Sequence, residues 1–132
     1  MINWEPNMST GDDHTDAQHR ALIEKFNELS EVFSGTNQAE MRRAAAELLD
    51  FLQFYAAWHF EQEEILMEQK RCPLAETNKA AHADFLQRFG DFYTRWQLTN
   101  MDINLARATY QSLADWIVNH ILTIDVHLRD CL

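Results

Sequence analysis

Apolar residues recur at three- and four-residue intervals in four separate stretches of the chain. The first holds Leu22, Phe26, Leu29 and Phe33, after the start signals Ser9, Thr10, Asp12 and Asp13 and before the stop Ser34-Gly35, and predicts a helix over roughly Asp12 to Ser34. Thr36 and Asn37 open the second, where Met41, Ala45, Leu48, Leu52, Tyr55 and Leu66 share one face over about Gln38 to Lys70. Pro73 cannot sit inside a helix yet suits a first helical position. Arg71-Cys72 therefore reads as a turn and the third helix as about Pro73 to Leu98, with Ala75, Phe85, Phe89, Phe92 and Trp96 on its inner side. Asn100 and Asp102 offer caps for a fourth helix, about Asp102 to Arg129, striped by Leu105, Leu113, Ile117, Ile121, Ile124 and Leu128. Connections this short make successive helices antiparallel neighbours. The pattern predicts an all-α, up-down-up-down four-helix bundle, one domain over residues 1–132, with an irregular N-terminal arm at 1–11. Ile2 and Trp4 of that arm are expected to pack over the flank of the bundle.

Composition narrows the class. A chain of 132 residues builds one core that buries roughly two thirds of its unfolded surface. Three glycines and two prolines are too few turn residues for a sandwich or barrel. With 21 acidic against 11 basic residues the formal charge is −10, the wrong sign for nucleic acid or an anionic lipid surface. No apolar run is long enough to span a bilayer, and Met1 to Gly11 carries no secretory pattern. Cys72 and Cys131 form neither a CxxC pair nor a disulfide framework, which fits a reducing compartment, so the expectation is a soluble cytoplasmic protein.

Ionisable residues interrupt the inner stripes. His19 stands three before Leu22. His59 follows Leu52 and Tyr55 by seven and four, and Glu63 follows His59 by four, placing an imidazole and a carboxylate one turn apart on one face. His82 precedes Phe85 by three, and His120 follows Leu113 and Ile117 by seven and three, with Asp125 five further on. At about 1.5 Å of rise per residue, measured from the end where the first helix begins, these six lie about 6 to 17 Å deep. They converge on one level of the bundle. Each histidine alone reads as a structural core residue, and HxxxE or HxxxxD alone is a weak pattern. Together, a purely structural polar core would need every donor and acceptor paired, whereas a cation satisfies carboxylates and imidazoles at once. Two carboxylates and four imidazoles point to two metal ions. The weak link is that His120 and Asp125 diverge by about 140° on an ideal helix, which requires a local distortion or a sideways reach. His14 is expected on the surface, His127 inward in a capping or satisfied-core role, and Glu64, Glu61 and Glu68 on the solvated face. Cys72 and Cys131 are expected to have no functional role.

This ordered set resembles the hemerythrins, and more closely their single-domain bacterial members, over essentially the whole chain. The matching stretches are Trp4, Asp16-Ala17-Gln18-His19, His59-Phe60-Glu61-Gln62-Glu63-Glu64, His82 with Phe85, and Trp116-Ile117-Val118-Asn119-His120 through Asp125. The resemblance implies a non-haem di-iron centre with an oxo or hydroxo bridge that binds dioxygen reversibly. It implies Glu63 and Asp125 as bridges, His19 and His59 on the oxygen-binding iron, His82 and His120 on the other, and Ile117 as a wall of the oxygen pocket. One ligand departs: the family's third helix carries HxxxH, and four before His82 stands Asn78. Asn78 either ligates through its carbonyl or bonds a neighbouring group and leaves the position to water.

Two functional classes follow. The first is an oxygen-binding protein for carriage, storage or sensing, which turns over no substrate and in the sensing case needs a signalling partner. The second is a di-iron redox enzyme, peroxidase-like or handling nitric oxide with a reductase, favoured by an open position at Asn78. A ferritin-like oxidase would want Glu-x-x-His on two helices, and only Asp16-x-x-His19 approaches it. Covalent haem is disfavoured by the lack of CxxCH.

Overall fold

A computed structural model describes all 132 residues. Its helices are α1 (Asp13–Phe33), α2 (Gln38–Gln69), α3 (Ala75–Leu98) and α4 (Ile103–Thr123), with a 3-10 turn at Pro6–Met8 before them and a 3-10 segment at Asp125–Asp130 after. There are no strands. The four helices alternate in direction as an antiparallel bundle.

The ends follow local chemistry. Asp12, Asn37 and Asp102 cap α1, α2 and α4, their side chains accepting from the backbone N–H of Thr15, Glu40 and Asn104, which satisfies donors that have no intrahelical partner. No glycine closes α2 or α3. Arg71 (φ 54°) and Asn100 (φ 57°) take the left-handed conformation instead, and Cys72 N–H reaches back to Met67 O at 2.9 Å while Met101 N–H reaches Trp96 O at 2.8 Å. These six-residue closures reverse the chain in few residues. The third helix starts later than the sequence predicts: Pro73 and Leu74 belong to the turn, and Asn78 N–H bonds Leu74 O in the first helical turn at 2.8 Å.

The core runs along the bundle axis through Leu22, Phe26 and Leu29 of α1, Leu49, Leu52 and Ala56 of α2, Phe85, Phe89, Phe92 and Trp96 of α3, and Leu113, Ile117 and Ile121 of α4. On α2 the buried line sits one residue later than the expected Leu48, Tyr55 and Leu66, which are half-buried, while Leu49, Ala56 and Met67 are buried. The arm is tied down rather than free. Asn27 pairs with both backbone groups of Ile2 at 2.8 Å, and the Arg20 guanidinium lies 4.6 Å over the Trp4 ring, a cation–π contact.

The fourth helix is shorter than expected. It ends at Thr123, whose hydroxyl bonds Asn119 O at 2.7 Å, a back-bond that loosens helices, and Ile124 leaves helical geometry at φ −120°. The chain continues as the 3-10 segment, which turns Asp125 into the core and Leu128 onto Met67 and Cys72. The same break carries His127 outward. It is half exposed and bonds Asp130, correcting the inward orientation expected from an unbroken helix.

Cys72 and Cys131 are joined as a disulfide with Cα atoms 5.4 Å apart, within the ordinary range for such a bridge. This corrects the expectation of two unlinked thiols and removes the support they gave to a reducing compartment. Both α2 and α4 end at the same face of an antiparallel bundle, so residues just past each meet there. No helix is long and apolar enough to cross a membrane.

Candidate metal centre

The helical period puts one inward histidine on each helix, and the break after Thr123 adds an inward carboxylate. His19, His59, Glu63, His82, His120 and Asp125 are all buried and converge at one level. Glu63 stands at the middle. Its Oε2 lies 2.7 Å from His19 Nε2 and 3.0 Å from His59 Nε2, and its Oε1 lies 3.1 Å from His82 Nε2. Asp125 is divided in the same way, Oδ2 3.1 Å from His19 Nε2 and Oδ1 3.2 Å from His120 Nε2. Each carboxylate thus spans two imidazole pairs. Two quartets result, His19, His59, Glu63 and Asp125, and Glu63, His82, His120 and Asp125, each with ligand atoms within 4.8 Å of one another. The geometric obstacle at His120 and Asp125 is resolved by the end of α4 between them.

The imidazoles are oriented from outside. His59 Nδ1–H donates to Gln18 Oε1 at 2.7 Å and His82 Nδ1–H to the Glu64 carboxylate at 3.0 Å, so in both rings Nε2 is the atom turned to the centre. Phe60 stacks on His82 with ring centroids 3.9 Å apart, and Trp116 stacks on His120 at 4.5 Å. Gln18 and Glu64 had no expected role, and Glu64 was expected in solvent. Glu64 is only 27% exposed because α3 passes beside it. A signal existed: residues adjacent to an inward ligand can turn toward a neighbouring helix, and Gln18 and Glu64 directly follow or precede one.

Burial pushes the His19 imidazole down, yet Asp125 and Glu63 outweigh it and raise its pKa to about 10. Burial also opposes ionisation of Glu63, but the charges and hydrogen bonds of His59, His19 and His82 hold its carboxyl well below the usual range. Protonated imidazoles thus offset the buried charge of Glu63. Even so, the buried His82 Nε2, His120 Nε2 and Asp125 Oδ1 have no well-formed hydrogen bond, and all three belong to one quartet. Buried polar atoms without partners are costly, and a cation would satisfy them together. Nitrogen and oxygen donors of this kind suit iron and related divalent metals. The residues present therefore fit a metal pair.

A crevice too tight to hold a water molecule adjoins the centre, walled by Leu22, Phe60, Ile117 and Ile121 beside His19, His59, His120 and Asp125. Asn78 is fully buried next to Glu63 and Met67. His14 is exposed. Asp16, one turn before His19, is buried and accepts from Thr10 N–H and Oγ1 at 2.8 Å and from Ser9 Oγ at 2.7 Å. It fastens the arm to α1.

Fold and cluster together define a helix-bundle protein built around a buried pair of metal-capable sites that share two carboxylates. The chain belongs to the hemerythrin family: the family model described as the hemerythrin HHE cation binding domain matches residues 10–130. A bacteriohemerythrin of Stenotrophomonas maltophilia is 34% identical over 92% of this chain and 74% of its own length. One from Pseudomonas aeruginosa is 27% identical over 98% and 80%. A wild-type hemerythrin crystal structure superposes with a TM-score of 0.87 at 26% identity, covering 100% of this chain and 98% of that one. The family is known for non-haem di-iron centres that bind oxygen.

Proposed function

We propose that this chain holds two non-haem iron ions and binds dioxygen reversibly, for oxygen carriage or storage. One observation carries the reading: two quartets of buried donors share Glu63 and Asp125, each carboxylate presenting one oxygen to either side. His19 and His59 would hold one ion, His82 and His120 the other, with Glu63 and Asp125 between them. When bound, the pair would supply two one-electron equivalents at adjacent centres. The protein's part is to position and to exclude. Gln18 and Glu64 fix two of the rings, and Leu22, Phe60, Ile117 and Ile121 place apolar surface against the His19–His59 side of the centre, which keeps bulk water from it. Ile117, one turn before His120, is one of those apolar residues. Protons now shared between imidazoles and carboxylates leave as metal enters, so loading releases acid.

The test is metal analysis of protein from iron-supplemented cells, with optical spectra of the reduced protein before air, after air and after oxygen removal. Two irons per chain and a visible band that appears in air and disappears on deoxygenation are expected. Irreversible loss of the band would replace carriage with redox chemistry toward peroxide or nitric oxide. A single zinc, or no metal after iron reconstitution, would overturn the di-iron assignment.

A further inference from the structure

Asn78 lies one turn before His82 on the same face of α3, completely buried. Its amide meets the cluster nitrogen first. Nδ2 stands 3.5 Å from Glu63 Oε1 and 3.1 Å from Met67 Sδ, while Oδ1 has no partner. Both neighbours of Nδ2 are acceptors, so the reversed amide would set an oxygen against a carboxylate oxygen and a sulfur with no hydrogen between them. The amide nitrogen is not a cation donor, and it is that nitrogen which sits against Met67 Sδ and, at the outer limit of a hydrogen bond, Glu63 Oε1. No other side chain makes up the deficit. The remaining histidines, His14 and His127, are both exposed, and His127 is engaged with Asp130. The two quartets are therefore equal in donors, two imidazoles and two carboxylate oxygens each, two short of the six places an octahedral ion offers, one of which the oxo or hydroxo bridge of the di-iron reading would take.

Resting on the di-iron reading above, we propose that Asn78 positions Glu63 without ligating. Both metal positions then stay open, and the chain takes up two small exogenous anions of the azide class, one per metal. With the shorter amide where an imidazole would stand, the His82–His120 side has one nitrogen donor fewer, and the exogenous anion would take that coordination place. Asn78 acts through Glu63, whose two oxygens divide between the halves.

The experiment is an azide titration of the oxidised, iron-loaded protein, read by calorimetry and by the azide-to-iron absorption band, with iron counted in the same samples. Wild type is expected to bind two azides per chain and Asn78→His one, the new imidazole closing the second position. Asn78→Ala is expected to keep two azides but to lose iron to a chelator several-fold faster, because Glu63 is less well held. One azide in wild type, rising to two in Asn78→Ala, would overturn the proposal by making Asn78 a ligand. The wild-type and alanine pair decides the matter even where the histidine variant fails to fold. Two irons with one azide would sink this inference alone, whereas fewer than two irons in wild type would sink the di-iron reading with it.

Discussion

Breaking the Cys72–Cys131 disulfide severs the covalent tie between the α2–α3 turn and the 3-10 segment that carries Asp125. The bridge spans a sequence separation of 59. Closing a loop of that size removes about 14 cal/mol/K of chain entropy from the unfolded state, or about 4 kcal/mol at 25 °C. Unfolding entropy near 2.1 cal/mol/K per residue amounts to about 0.28 kcal/mol/K for a chain this long, so the melting temperature should fall by about 15 °C. The Cys72→Ser/Cys131→Ser variant, metal-free, would be compared with the oxidised protein by thermal and urea unfolding, with free thiols counted in both. The variant should also show a steeper urea dependence, because its unfolded chain exposes more surface. Melting temperatures within a degree or two of each other, with no free thiol in the wild type, would refute the loop-entropy argument. Two free thiols in unreduced wild type would refute the bridge itself.

Two other predictions concern residues around the centre. Glu64→Ala leaves His82 Nδ1 without its acceptor and should weaken metal retention about 10- to 100-fold in chelator competition. Glu64→Gln, which can still accept that hydrogen bond, should recover much of the loss, and equal retention in all three proteins would dismiss the role of Glu64. Asp16 titrates below its ordinary value: burial pushes it up, but Thr10 N–H and the Ser9 and Thr10 hydroxyls outweigh it. The unfolded chain therefore binds that proton first, and the contribution of Asp16 is present above the ordinary value of 3.8 and vanishes as pH falls through the lower folded value. Asp16→Asn should cost about 1–3 kcal/mol at neutral pH, with the gap in urea midpoint narrowing below pH 4. A gap independent of pH would assign the loss to something other than the charge.

How much of this was legible in the sequence depends on which interactions are local. The 3.6-residue period marks four helices because each buries one stripe, and the same period brought His19, His59, Glu63, His82 and His120 to one level, where the structure gathers them. Asp125 was placed correctly in depth but for an incomplete reason. The break after Thr123 carries no glycine or proline, only a β-branched pair and a back-bonding hydroxyl, so the expected helix ran on and took His127 inward with it. The disulfide was hidden by counting cysteines instead of asking where an antiparallel bundle puts residues that follow its second and fourth helices. Glu64 was assigned to solvent because direction on α2 was judged without the neighbour, and only the approach of α3 gives its carboxylate a ring nitrogen to hold. Leu48, Tyr55 and Leu66 lie at the edge of the stripe, and their neighbours Leu49, Ala56 and Met67 take the buried places while Ala45, Leu52, His59 and Glu63 stay in phase.

Trp116 lies flat against His120, its centroid 4.5 Å from that ring and 4.5 Å from Phe85, which gives the centre an indole in van der Waals contact with one of its inner rings. An indole so placed is an emitter whose light is sensitive to whatever that imidazole holds. Occupancy of the His82–His120 side should therefore be readable in the purified protein as quenching of intrinsic fluorescence, with no label attached. Trp96, packed toward the other end of the core, and the half-exposed Trp4 and Trp58 supply the unquenched background, so a Trp116→Phe variant would separate the reporter from the rest.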